Sequence, residues 1–203
     1  TFNDSVLREI GRCHTTALTE EKFKQARKAG FNTINMDLIA GLPTDTLESF
    51  KHSVDRAIEL GAENITVHTL ALKRSSSLVT ENDTDSVTEK NIEKMLDYSF
   101  EALTRSGYHP YYMYRQSKAL GNFENVGWCK KGKECEYNIL MMEEYQHILS
   151  VGAGSVTKLL SPGIAKIERI FNFKFPFEYV SRFPALLEKK ERISEFFEEY
   201  YSS

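Results

Sequence analysis

Apolar positions over the first hundred residues follow two periods in alternation. In "NDSVLREIGR", Val6, Leu7 and Ile10 recur at helical spacing, and "LTEEKFKQARKAG" predicts a second short helix that Thr19 could cap and Gly30 could end. The period then drops to two. "FNTINMDLIA" sets Ile34, Met36 and Leu38 against Thr33, Asn35, Asp37 and Ile39, which predicts a strand broken by "GLP". "DTLESFKHSVDRAIELG" returns to helical spacing at Leu47, Phe50, Val54, Ala57 and Ile58, with Asp45 and Glu48 as a capping box and Gly61 as the stop. "NITVHTLAL" predicts a second strand, Lys73 to Asp85 a polar loop, and "SVTEKNIEKMLDYSFEALTRSG" a further helix with Ser86 and Glu89 as its capping box. Strand and helix alternating at this spacing predict right-handed βα units on a parallel sheet, open or closed into a barrel. Ligands of such folds collect at the carboxyl ends of the strands, here "GLP" and "LALKRSSS".

The pattern changes after Gly107. "YHPYYMYRQ" carries a proline among four tyrosines and predicts an edge strand, and "SKALGNFENVGWCKKGKEC" reads as a Gly, Asn and Lys rich loop. "GAGS" predicts a close turn, "KIERIFN" a short strand, and "PFEYVSRFPALLEKKERISEFFEEYYSS" one or two amphipathic helices broken near Pro184. Residues 1–107 are thus expected to form the βα units and residues 108–203 an accessory domain.

A length of 203 residues with 41% apolar content suffices for a sizeable core. A formal charge of −3 carries no electrostatic footprint for nucleic acid or an anionic membrane. The three cysteines, Cys13, Cys129 and Cys135, are odd in number and widely spaced, which fits reduced thiols and a cytoplasmic location.

Asp37 stands out because a lone carboxylate in an apolar strand costs several kcal/mol to bury, on the order of the penalty for any unpaired ion. It either faces a polar cavity, as a ligand-binding carboxylate of a barrel would, or is satisfied by a neighbouring arginine or backbone amides. His68 lies on a strand near the same end and could donate to a ligand, although a satisfied core histidine is its default reading. The five histidines show no metal-ligand spacing.

Taken together, "TFNDSVLREIGRCHT", "INMDLIAGLPTDTLESF", "ENITVHTLAL", "YYMYRQ" followed by "GNFENVGW", and "YNILMMEE" leading to "VGAGSVTK" resemble the oxygen-independent coproporphyrinogen III oxidases, most of all their anaerobic coproporphyrinogen dehydrogenase branch. "MDLIAGLP" is shared with related haem chaperones, whereas "YYMYRQ…GNFENVG" is narrower. The resemblance implies the carboxyl-terminal part of a partial (β/α)6 barrel followed by an α+β accessory domain. It also implies radical S-adenosylmethionine chemistry, in which a 4Fe-4S cluster and S-adenosylmethionine start the decarboxylation of two propionates of coproporphyrinogen III to vinyl groups in haem biosynthesis. Carried over to this chain, Arg12, Asp37, Ala71 and Val156 match contacts on S-adenosylmethionine. Arg115, Lys130 and Lys131, with Lys133, offer cations for the substrate carboxylates, although a lysine run is equally the mark of a solvated loop.

One departure is severe. The family holds its cluster with Cys-x-x-x-Cys-x-x-Cys, and this chain has no such spacing. Together with Thr1 in place of Met, this implies a piece of a longer protein that lacks the cluster ligands and is inactive alone. It also implies a barrel edge free to join a second copy in a homodimer. The electron donor is not implied. Two other function classes remain open: a haem chaperone of the same superfamily, and a non-radical ligand-binding or interaction domain on the same fold.

Overall fold

The structure, a computed structural model, describes residues 1–71, 89–116, 119–163 and 166–201. It falls into two compact units, Thr1–Met142 and Glu143–Ser203.

The first unit opens with two helices on the expected segments. In α1 (Asp4–Glu9) the Asn3 side chain accepts from the Ser5 and Val6 N–H groups, so the exposed amides of the first turn are satisfied. α2 (Thr16–Lys28) is capped by Thr15, whose hydroxyl accepts from the Leu18 N–H at 3.2 Å, and not by Thr19. Thr19 lies one turn inside, and its own hydroxyl donates back to the Thr15 carbonyl.

β1 (Asn35–Ala40) leads through α3 (Leu47–Leu60) to β2 (Asn64–Thr69), which pairs parallel to β1 from Asn35 opposite Asn64 to Ala40 opposite Thr69. This is the βαβ unit that the periodicity predicts. The cap of α3 is Thr46, in extended backbone, accepting from the Ser49 N–H; Asp45 points inward and is buried. Gly61 ends the helix in the left-handed region at φ 76, as expected. α4 (Glu89–Arg105) follows, while Ser86 and the polar loop after Lys73 lie outside the described residues.

β3 (Tyr108–Tyr114) and β4 (Asn125–Lys130) complete a four-stranded sheet in the order β1-β2-β4-β3. β4 runs antiparallel to both neighbours, so β3 points the same way as β1 and β2. β3 is an edge strand, as its proline predicts; Pro110 adjoins a register shift before Tyr112. β4 overturns the reading of residues 117–135 as loop. Its Trp128 and Cys129 are buried between two strands, and that environment outweighs the weak strand propensity of its glycine and asparagine. The boundary expected after residue 107 falls between α4 and β3, within this one compact unit.

α3 and α4 cover one face of the sheet. Phe50, Val54 and Ala57 of α3 and Ile92, Met95 and Leu103 of α4 meet Leu38, Ile65, Val67 and Trp128, all nearly inaccessible. Each such side chain contributes roughly 1.5–3 kcal/mol by leaving water. The opposite face is polar.

α5 runs Glu136–Glu143. In the second unit, β5 (Val156–Leu160) and β6 (Ile167–Phe171) form an antiparallel pair, followed by α6 (Pro176–Ser181) and α7 (Phe183–Tyr201). The helical break falls at Arg182, next to the expected Pro184. Leu159, Ile170 and Phe196 form this unit's own core.

Candidate functional site

Register decides which side chains share the polar face. Asp37 pairs with Thr66, Thr66 with Gly127, and Gly127 with Tyr112, so a single row crosses all four strands. Gly127 is the gap in that row. A Cβ there would lie 1.8 Å from Tyr112 Cε1, so the Tyr112 ring occupies the space above β4 that any other residue would fill. The ring's hydroxyl thereby reaches across β4 to Thr66 Oγ1 at 3.1 Å.

From there the donors run in one direction. Thr66 Oγ1 donates to Asn35 Oδ1 at 3.2 Å, so its remaining contact with Tyr112 is as acceptor. Asn35 Nδ2 then donates to Asp37 Oδ1 at 2.7 Å. A second chain comes from the carboxyl ends of the strands, where the Tyr114 hydroxyl lies 3.2 Å from His68 Nδ1 and His68 Nε2 lies 3.6 Å from the same Asp37 oxygen. With Tyr114 donating to Nδ1, the Nε2 proton faces the carboxylate. His68 foremost, and Asn35 after it, hold the Asp37 carboxyl below its ordinary range against the opposing effect of burial. Asp37 is therefore an anion at neutral pH, with 62% of its side chain open.

That anion faces a cavity of about 710 Å³ at the carboxyl ends of β1 and β2. Its walls include Arg12 and His14 from the α1–α2 connection, Asp37 and Ile39 of β1, Leu42 of the next loop, His68 and Thr69 of β2, Ala71, Tyr114 and Gln116. The loop after β1 carries backbone strain, with Thr44, a β-branched residue, in the left-handed region at φ 61.

Three of the four residues matched to the cofactor, Arg12, Asp37 and Ala71, are brought to this one cavity. Val156 opens β5 in the second unit. Arg115 lies just past β3 at the cavity's end of the sheet, but its guanidinium is paired with Glu124 at 2.6 Å. Lys130 and Lys131 are not brought to the cavity. Cys129 pairs with Asn64, so both lysines follow β4 out at the amino end of β2, and the Lys130 ammonium rests over the Tyr108 ring, 5.3 Å from its centroid. Thr69 carries no signal in the sequence, and Tyr114 reads there as a strand residue whose default role is packing. The alternation of "YYMY" against "NITVHT" is the signal that places Tyr112 and Tyr114 on the face of Thr66 and His68.

The cavity fits S-adenosylmethionine. Its cationic ammonium and sulfonium suit an ionised Asp37, and the Thr69 hydroxyl, buried in the wall without a hydrogen-bond partner, offers a polar group that a ligand can satisfy. The cysteines do not fit an iron–sulfur cluster. Cys13 is exposed, whereas Cys129 is buried at the far end of the sheet, next in sequence to the lysine turn that precedes Cys135.

No protein-family model matches the chain. It is 38% identical over 190 residues, 93% of its length, to the oxygen-independent coproporphyrinogen-III oxidase-like protein HemZ of Bacillus subtilis. The chain belongs to the oxygen-independent coproporphyrinogen-III oxidase-like family. Its fold matches that of the solved coproporphyrinogen III oxidase HemN from Escherichia coli, described as a radical SAM enzyme, with a TM-score of 0.64 and 19% identity over 91% of this chain and 41% of that one. The family's neighbours include haem chaperones: the Heme chaperone HemW of Lactococcus lactis is 28% identical over 159 residues, 76% of this chain. The chain spans about two fifths of the length of these relatives, 38% in the case of HemZ. No helix among the described residues is long and apolar enough to cross a membrane.

Proposed function

We propose that the chain forms the S-adenosylmethionine-facing part and the accessory unit of a radical enzyme that oxidatively decarboxylates two propionates of coproporphyrinogen III, giving protoporphyrinogen IX, within a longer polypeptide that supplies the cluster thiolates. The observation that carries this reading is the convergence of two donor chains on Asp37 in a cavity that also gathers Arg12 and Ala71. S-adenosylmethionine, bound beside an iron–sulfur cluster, supplies one-electron hydrogen abstraction. The chain's own residues would bind and orient it: Asp37 would accept from its ammonium and offset the charge of its sulfonium, His68 and Tyr114 hold the carboxylate, and Arg12 lines the wall. Val156 as a further contact rests on the resemblance alone.

The test is calorimetric titration of S-adenosylmethionine into the chain and into the longer protein. Asp37→Asn should weaken binding by about 1.5–3 kcal/mol, the worth of a hydrogen bond to a charged group, which is roughly 10- to 150-fold. Unchanged affinity would remove Asp37 from the site. The chain alone should yield no vinyl product from coproporphyrinogen. A second reading, a haem-binding chaperone, is favoured by the likeness to HemW; tight haem binding by the longer protein with no vinyl product would select it.

A further inference from the structure

At the other end of the same polar face, three side chains of different chemistry converge on one point. We propose that His109, Cys129 and Glu134 form a binding site for a divalent cation, and that zinc is the ion this donor set suits. The site is independent of the reading given above.

The backbone builds it from three directions. His109 on β3 pairs directly with Cys129 on β4, so both side chains leave the sheet on one face. A tight turn then reverses the chain, with the Lys133 N–H donating to the Lys130 carbonyl and Gly132 in the left-handed region at φ 74. Asn64 of β2 pins this turn by donating from Nδ2 to the Lys133 carbonyl at 2.7 Å, and that delivers Glu134 to the pair.

His109 Nε2 lies 3.0 Å from Glu134 Oε1 and 3.4 Å from Cys129 Sγ, and the three ligand atoms lie within 4.8 Å of one another. A tetrahedral zinc ion with bonds of about 2.3 Å to sulfur and about 2.0–2.1 Å to nitrogen and oxygen holds its ligands about 3.5 Å apart for sulfur to nitrogen and about 3.3 Å for nitrogen to oxygen. Both observed contacts are close to these edges. Without a metal the Glu134 carboxylate is the shared acceptor, facing the His109 ring nitrogen, the Gly132 N–H and the Cys129 thiol. A cation at the centre uses all three groups at once.

Burial also suits a metal. Cys129 is fully buried, while 43% of the His109 side chain and 34% of that of Glu134 remain open, which leaves an entry path and room for water as fourth ligand. Binding displaces the thiol proton of Cys129 to solvent and forms the Zn–S bond, with no change of oxidation state. The position, at the amino ends of the parallel strands and four residues along β2 from the cavity, assigns the ion a structural role in clamping the turn after β4 to β3.

The experiment uses the purified, reduced, metal-free chain titrated with cobalt(II) and then zinc(II). One equivalent of cobalt should give a thiolate-to-cobalt charge-transfer band in the near ultraviolet with tetrahedral d–d bands, zinc should abolish them, and zinc should raise the melting temperature of the first unit. Cys129→Ser should remove the charge-transfer band. His109→Gln and Glu134→Gln, the latter on an exposed turn where folding is not at stake, should each weaken zinc at least ~10-fold, and Cys135→Ser should leave binding unchanged. Absence of the band and of the thermal shift overturns the proposal, as does a band that survives Cys129→Ser or is lost in Cys135→Ser.

Discussion

The Tyr112 ring lying over Gly127 makes a prediction whose sign can be reversed. In Gly127→Ala the new methyl carbon would stand 1.8 Å from Tyr112 Cε1, 2.4 Å from Cδ1 and 2.5 Å from Cζ. Carbon atoms rest at about 3.5–4.0 Å, so the ring must move by roughly 2 Å. That movement breaks the 3.1 Å contact with Thr66 and the stacking on Tyr114, whose ring is 6.4 Å away and nearly parallel. Overpacking costs about 1–3 kcal/mol and the lost hydrogen bond about 0.5–1.5 kcal/mol, against a gain of about 0.5–1 kcal/mol for alanine over glycine inside a strand. The net expectation is a loss of about 0.5–4 kcal/mol. In a Tyr112→Ala background the ring is gone, and Gly127→Ala should instead stabilise by about 0.5–1 kcal/mol. The assay is urea unfolding followed by the fluorescence of Trp128, the single tryptophan, buried in the same strand. A neutral Gly127→Ala, or an equal loss in both backgrounds, would refute the argument that the glycine exists to admit the ring.

Three further outcomes are expected. Burial pushes the Glu63 carboxyl up, but Arg27, at 2.8 Å, and the Ile34 N–H outweigh it and hold it below its ordinary value of 4.5, so its contribution is present above that value and is lost as pH falls through the depressed one; Glu63→Gln should cost about 1–2 kcal/mol at pH 7 and flatten the acid limb of a stability–pH curve. Thr46→Ala should cost about 1 kcal/mol in urea unfolding, and Asp45→Ala should not reproduce the loss of a cap, because Thr46 alone accepts from the Ser49 N–H in that role. β1 is an outer strand of the described sheet, so the chain should self-associate with concentration in light scattering, and a monomer at high concentration would count against pairing through that edge.

The βαβ unit was legible because its signals are local. "DTLESFKHSVDRAIELG" keeps one apolar stripe for four turns and ends on a glycine, and "NMDLIA" and "NITVHT" lie on either side of it. Helix starts were less legible, since Thr15 and Thr19, or Asp45 and Thr46, offer the same oxygen chemistry and only the backbone dihedrals choose between them. β4 was illegible for a tertiary reason: Gly127 and Asn125 are poor strand formers that are correct only because Tyr112 needs the space and the Thr69 N–H needs the Asn125 side-chain oxygen, 2.7 Å away. In the site, Asp37 announced itself as an unpaired charge, whereas His68 and Tyr114 sit 46 residues apart and meet only through β4. The place of Lys130 and Lys131 was illegible for the same cause, because the direction of an unrecognised strand decides to which end of the sheet they are carried.

The order β1-β2-β4-β3 also sets a timetable. β3 precedes β4 in the chain yet lies beyond it, two strand spacings or roughly 9.5 Å from β2, too far for any backbone pairing with it. As the polypeptide emerges during synthesis, β3 has no partner and β2 keeps one open flank until residues 125–130 slide between them. Sheet closure is therefore an insertion, and Val67 must find Val126 after the β1–α3–β2 unit has formed from nearby contacts. A nascent chain released from the ribosomal tunnel only as far as residue 124 would carry two strand borders that β4 has yet to fill, a state exposed to chaperones and to misassembly.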